Sequence, residues 1–207
     1  MQFNSKYVEL HSHSFYSFGE GASHIDELLN RAHQLDYPAM ALTDYNMCGA
    51  LEFSRQSNHF GIKPITGAEI ILEDDSHIVL LAKNRTGYSN ISQLLTLANG
   101  SDRREPRLDP KHIPQYTSGT ILLTGSQNGL VSNSIKENKI EKAKSVLKEL
   151  REFADFDNEK QWEIIKRDFP EWEIALGDAN RTLSKSELFN YKSSLLNAIS
   201  NISFFVF

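Results

Sequence analysis

Short apolar runs alternate along the chain with longer segments in which apolar residues recur at helical spacing. Runs typical of buried strands lie at 39–42, 62–65, 68–72, 77–82 and 121–123, after a shorter one at 7–10. Strands that alternate with helices indicate an α/β fold. We therefore expect a parallel sheet or barrel with its functional loops at the carboxyl ends of the strands.

Four helical segments separate these runs, at about 23–35, 47–58, 86–98 and 138–153. Ser23 with Asp26 three residues later predicts a capping box at the start of the first helix. Gly61 follows the second helix, as a residue that ends helices commonly does. The pattern thus repeats the order strand then helix on which the fold prediction rests.

The segment after about residue 155 differs from the rest of the chain. From 159 to 181 charged residues interrupt every apolar run, whereas a parallel strand needs a buried run of several apolar residues. Near-helical spacing then returns at Leu188, Tyr191, Leu195 and Ile199. We expect one domain over residues 1–154 and a divergent, mostly helical tail over residues 155–207.

The amino-acid composition excludes several classes of protein. The net charge of −5 over 207 residues excludes a global basic field that would hold nucleic acid non-specifically. Cys48 is the single cysteine, which excludes an internal disulfide framework, and we expect it to be a small buried side chain. No apolar run approaches the ~20 residues that span a bilayer, so we expect a cytoplasmic protein with no membrane partner.

Histidine and acidic residues gather near the ends of the predicted strands. His11 and His13 are one residue apart on an extended segment, so both imidazoles can reach one metal ion. A His-x-His pair by itself is also common in ordinary loops. Further candidates recur at later strand ends, at Glu20, Asp44, Glu69 and His77. This recurrence predicts one site assembled by several strands.

The candidate residues suit divalent transition metals. Imidazole and carboxylate bind zinc, manganese or iron, and a carboxylate such as Glu69 can bridge two cations about 3.5–4 Å apart. Glu69 and Asp44 are the candidate catalytic acids. Asp44 could act as a base beside the ligands, or it could cap the helix that follows it, and the sequence leaves both interpretations open.

Six motifs in order carry a family resemblance. They are LHSHSFYS at 10–17, ALTDYN at 41–46, GIKPITGAE at 61–69, HIVLLAKN at 77–84, TGYSNI at 86–91 and LLTGS at 122–126. Together they resemble the PHP (polymerase and histidinol phosphatase) domain, in particular the amino-terminal PHP domain of bacterial DNA polymerase III alpha subunits and error-prone polymerases. The resemblance covers about residues 5–153.

The resemblance implies a distorted seven-stranded β/α barrel that holds up to three divalent metals and hydrolyses phosphoesters. It places metal ligands at His11, His13, Glu20, Glu69 and His77. Two family ligands are replaced, one by Tyr45, a neutral phenol with an ordinary pKa near 10, and one by Ser126. The closing Asp-x-His motif of the family is absent. These departures predict an incomplete barrel and fewer than three metals.

Three functions remain open at this point. The first is a metal-dependent phosphoesterase that trims DNA 3′ ends or cleaves a small phosphate ester. The second is a non-catalytic PHP scaffold that binds a polymerase or replication partner chain, and the third is a truncated polymerase fragment. The chain has no room for the palm, fingers and thumb of a polymerase, so we expect no polymerase activity from it alone.

Overall fold

Four strands form the sheet in the computed structural model, which describes residues 7–101, 104–124 and 127–153. In spatial order they are β1 (Ala39–Leu42), β2 (Lys63–Ile71), β3 (His77–Ala82) and β4 (Thr120–Leu123). Each lies where an apolar run predicts it, and the runs at 62–65 and 68–72 are two halves of β2. The mixed α/β class is as expected.

The strand directions correct the parallel-sheet prediction. β1 and β2 are parallel, but β2 pairs with β3 and β3 with β4 in antiparallel fashion. Only residues 72–76 join β2 to β3. A parallel crossover needs a dozen or more residues, so this connection can only be a hairpin. The prediction failed because hydrophobic periodicity does not encode strand direction.

The segment before β1 is less regular than predicted. Residues 7–10 make a single bridge, between Glu9 and Met40, rather than a strand. The backbone still runs beside β1, because the carbonyl of Glu9 accepts from Ala41 N at 2.7 Å and that of Ser12 accepts from Thr43 N at 2.9 Å. The His-x-His segment is therefore held against β1 and the residues just after it.

Five α-helices accompany the strands in the described residues, and a 3₁₀ helix spans Pro110–Tyr116. They are α1 (Ile25–Gln34), α2 (Ala50–Phe60), α3 (Arg85–Ser101), α4 (Leu130–Lys136) and α5 (Ile140–Phe153). The N-cap of α1 is His24, not Ser23, and its backbone N–H donates to the Glu27 carboxylate at 2.9 Å. Gly61 ends α2 with a φ of 68°, as predicted.

Apolar side chains cover both faces of β1. On one face α1, α2 and β1 share a core of Ile25, Leu29, Ala32, Met40, Leu42, Phe53 and Ile62. On the other, Ala41 packs with Val79, Leu81 and Leu123 of β3 and β4. Burial on both faces explains why β1 is a continuous apolar run rather than an alternating one.

The described strands form an open sheet, so the closed barrel stays a prediction. The proposed tail over residues 155–207 lies outside the described residues, as does Ser126. Among the helices that the structure describes, none is long and apolar enough to cross a membrane.

Candidate metal centre

Three side chains converge where the His11–His13 segment runs beside β1 and the residues after it, and where Glu69 projects from the neighbouring β2. The Oε2 atom of Glu69 lies 2.9 Å from Nε2 of His13 and 3.4 Å from Nε2 of His11. The two Nε2 atoms are 3.1 Å apart. Glu69 is 3% exposed, and the histidines are only partly exposed. The three ligand atoms thus form a nearly equilateral triangle at the edge of the core.

The size of this triangle fits a metal ion. Zinc binds imidazole nitrogen and carboxylate oxygen at about 2.0–2.2 Å, so ligands about 90–110° apart around one ion lie roughly 2.9–3.5 Å from each other. The observed separations of 2.9, 3.1 and 3.4 Å fall within that interval. Two nitrogens and one oxygen also suit zinc, manganese or iron. The residues present therefore fit a divalent ion.

His77 contacts the other oxygen of Glu69. It is the first residue of β3, and the pairing of Glu69 with Val79 puts it on the same face, two residues from the direct partner. This diagonal position lets the side chains meet. His77 Nδ1 lies 3.0 Å from Oε1 of Glu69. The structure thus brings His77 beside the predicted bridging acid, but on its second oxygen.

Three neighbouring imidazoles stabilise the negative charge of the Glu69 carboxylate. Burial alone would raise the pKa of this carboxyl group, but hydrogen bonds from the three imidazoles hold it well below its usual range. A carboxylate that stays charged inside a protein needs such partners. Glu69 is therefore ready to bind a cation.

Asp44 is buried and does not cap a helix, because α2 begins six residues later at Ala50. Its Oδ1 accepts from Ser14 N at 2.7 Å and from Ser17 Oγ at 2.5 Å, while Oδ2 accepts from Ser14 Oγ at 2.7 Å. Oδ1 is 4.0 Å from Nδ1 of His13. Asp44 therefore lies behind the triangle rather than in it.

The loop from Ser14 to Gly21 connects these groups, and its two buried serines were not among the predicted site residues. The sequence shows them only as two serines three residues apart, directly after the His-x-His pair, a spacing that by itself indicates no contact. Glu20, in the same loop, is exposed and lies outside the three-residue group. The charge of Glu20 nevertheless acts on Tyr45, which lies beside the triangle, and its role as a ligand stays a prediction.

The residues of the triangle lie in a segment that matches a known protein family. The model of the PHP domain matches residues 9–161, more than half of the chain, and this match includes the whole triangle. The chain belongs to the PHP domain family. The resemblance read from the six motifs is thereby confirmed.

Proteins named as DNA polymerases or their alpha subunits are similar to this chain. The chain is 36% identical over 157 residues to the error-prone DNA polymerase of Symbiobacterium thermophilum, covering 67% of this chain and 14% of that protein. It is 34% identical over 162 residues to DNA polymerase III subunit alpha of Borreliella burgdorferi, covering 70% of this chain and 14% of that protein. The corresponding subunit of Escherichia coli K12 is 34% identical over 139 residues, covering 63% and 12%.

Tyr45 occupies the PHP site beside the triangle. Its ring centroid is 5.0 Å from that of His13 and 6.2 Å from that of His77. Burial first, and then the charges of Glu69 and Glu20, raise the pKa of the Tyr45 phenol. The phenol is therefore neutral near pH 7 and would be a poor metal ligand, although its ring lies close to the triangle.

The prediction that Cys48 is buried is wrong. The structure exposes this residue at the start of the segment leading into α2. The apolar stripe of α2 begins only at Ala50, so the turn before it leaves the thiol in solvent. The cysteine takes no part in the metal centre.

Proposed function

We propose that this PHP domain is a metal-dependent phosphoesterase whose first ion is bound by His11, His13 and Glu69. The triangle of ligand atoms, with its separations of 2.9, 3.1 and 3.4 Å, is the observation that carries the proposal. A bound ion would polarise the phosphoryl group and lower the pKa of a water molecule to near neutrality.

A second ion is proposed on the other side of Glu69, where His77 meets Oε1. Glu69 would then bridge the two ions, as the sequence predicts. Tyr45 weakens this second position because a neutral phenol replaces an imidazole. We therefore propose fewer than three ions, in a PHP-type barrel that is incomplete. Glu20 stays a proposed ligand that would have to turn inward to bind.

The proposed substrate is a DNA 3′ end, because the relatives are named as DNA polymerases. The chain spans 14% of the length of these two relatives, so the activity of a whole polymerase does not transfer to it. A small phosphate ester is the alternative substrate. A polymerase or other replication chain is the proposed partner, and the cytoplasmic location stays a prediction.

Metal analysis of the purified protein tests the proposal. Two equivalents of zinc, manganese or iron, with release of mononucleotides from a 3′-labelled oligonucleotide, would support it. His13→Ala should lose the metal and the hydrolysis together. His33→Ala is the matched control, because His33 is exposed on α1 and bonds only to the carbonyl of Phe60 among the contacts described. It should keep both.

Two other results would point elsewhere. No bound metal in the wild type would leave the non-catalytic scaffold as the remaining interpretation. Bound metal with hydrolysis of p-nitrophenyl phosphate, but not of the oligonucleotide, would replace the DNA end by a small phosphate ester.

A further inference from the structure

We infer that Ser17 and Asp44 are positioning residues for His13: they hold a proton on Nδ1, so that Nε2 presents its lone pair to a cation beside Glu69. The inference arises from one chain of four contacting side chains. It runs from Glu69 through His13 and Ser17 to Asp44. Nothing in the sequence or in the family resemblance assigns a role to Ser17.

Three short contacts join the four side chains. Glu69 Oε2 to His13 Nε2 is 2.9 Å, His13 Nδ1 to Ser17 Oγ is 2.7 Å, and Ser17 Oγ to Asp44 Oδ1 is 2.5 Å. Each is within hydrogen-bonding distance. Both ends of the chain are carboxylates, which only accept hydrogen bonds when ionised.

These four side chains have too few protons to make a hydrogen bond at every contact. A neutral imidazole brings one N–H and the serine brings one O–H, which makes two protons for three contacts. One contact is then left with two lone pairs facing each other. A metal ion bound by His13 Nε2, the neighbouring His11 Nε2 and the Glu69 carboxylate would remove that conflict.

The other partners of Ser17 and Asp44 determine where the metal belongs. The Asp44 carboxylate can only accept, so the proton of Ser17 Oγ is directed toward Asp44, and Ser17 Oγ also accepts from Tyr45 N at 3.3 Å. Asp44 is 1% exposed and takes two further hydrogen bonds from Ser14. This end of the chain is closed to solvent, whereas the Nε2 end meets the partly exposed His11. The cation therefore belongs at the Nε2 end.

Such an arrangement contributes to metal affinity in two ways. A hydrogen bond to the distal ring nitrogen fixes the imidazole orientation and raises its basicity as a ligand. Loss of the bond typically weakens metal binding 10–100-fold. The effect on affinity rests on the proposed metal site, but the state of the Nδ1 proton can be measured without any metal.

Ser17→Ala tests the inference, and Ser14→Ala is its matched control. Both serines are fully buried and both donate to Asp44, but only Ser17 is described in contact with His13. The first readout is the exchange rate of the Nδ1–H signal of His13 in metal-free protein, because the hydrogen bond to Ser17 should protect that proton from exchange with water. His13→Asn assigns that signal by its loss. The second readout is the dissociation constant for zinc, measured by competition with a chelator.

We expect a slowly exchanging Nδ1–H signal in the wild type and in Ser14→Ala, and its loss in Ser17→Ala. Zinc should bind Ser17→Ala about 10–100-fold more weakly. Ser17→Thr keeps the hydroxyl group and should restore both readouts, which separates the role of Ser17 from a packing defect.

Persistence of the signal in Ser17→Ala would overturn the inference, as would equal weakening of zinc binding by both alanine variants. Presence of the signal in a wild type that binds none of zinc, manganese and iron would uphold the hydrogen bond to Ser17. The same result would refute the proposed metal-dependent function, so the two failures can be told apart.

Discussion

Tyr45 is the described residue at which the family resemblance predicts an imidazole instead. Its ring lies between His13 and His77, so whatever side chain stands there faces the proposed ions. The phenol is kept neutral by burial and by the nearby acids, which removes it as an anionic ligand. The position is thus correctly oriented but chemically unsuited to a metal.

Tyr45→His is accordingly expected to strengthen metal binding. An added imidazole should raise zinc affinity by about 10-fold or more, equivalent to about 1.4 kcal/mol, and should raise any phosphoesterase activity with it. Chelator competition and metal analysis measure both stoichiometry and affinity. Tyr37→His is the control, since Tyr37 packs against Tyr7, and should change neither. Equal metal content in all three proteins would show that position 45 does not limit binding.

Individual residues were predictable where their spacing fixes geometry. His11 and His13 point the same way because they alternate on an extended backbone. Ser14 and Ser17 were missed because a loop has no periodicity, and their contacts with Asp44 join residues about thirty positions apart. Nothing local to the sequence indicates such a contact.

At the scale of elements, the loop from Ser14 to Gly21 shapes the site. Phe15 N donates to Ser23 O at 2.9 Å, which closes the loop at its base. Gly21 lies so close to Ser14 that a Cβ atom there would overlap the Ser14 carbonyl oxygen. The loop can therefore close only with glycine at this position.

Gly21→Ala should open the loop and displace both serines. We expect a loss of about 1–3 kcal/mol in the free energy of unfolding and zinc affinity weakened about 10–100-fold. Gly100→Ala is the control, because a Cβ on this exposed residue of α3 meets nothing within 4 Å. It should stabilise the helix by about 0.5–1 kcal/mol. Urea unfolding and zinc titration compare the two, and equal behaviour would contradict the role of the loop.

Phe53 is the largest fully buried side chain in the core between α1, α2 and β1. Phe53 is fully buried in it, whereas Leu51 on the same helix is 70% exposed. Phe53→Ala should lower the free energy of unfolding by about 3–5 kcal/mol, because it leaves a cavity. Leu51→Ala should change it by no more than about 0.5 kcal/mol. A small effect of Phe53→Ala in urea unfolding would mean that this core is not packed as described.

The elements themselves were largely predictable. Apolar runs located β1, β3 and β4, and helical spacing located α1 to α3 and α5. The short helix α4 was missed because its seven residues are too few to establish a periodicity. Strand direction also escaped prediction, since it depends on the length of a connection and on long-range pairing rather than on local pattern.

At the scale of the whole molecule, every residue of the triangle lies in the first 69 positions, well within the family match to residues 9–161. We therefore expect the proposed metal site to be independent of the tail predicted over residues 155–207.

Limited proteolysis tests that independence. Charge interrupts the apolar runs from 159 to 181, so we expect early cleavage between about residues 154 and 184, where exposed segments are cut first. The remaining amino-terminal core should resist further digestion and keep its zinc, measured on the isolated fragment. A chain whose tail resists the protease as well as the core does would refute the appended-tail prediction. A resistant core that has lost its zinc would show that the tail contributes to the metal centre.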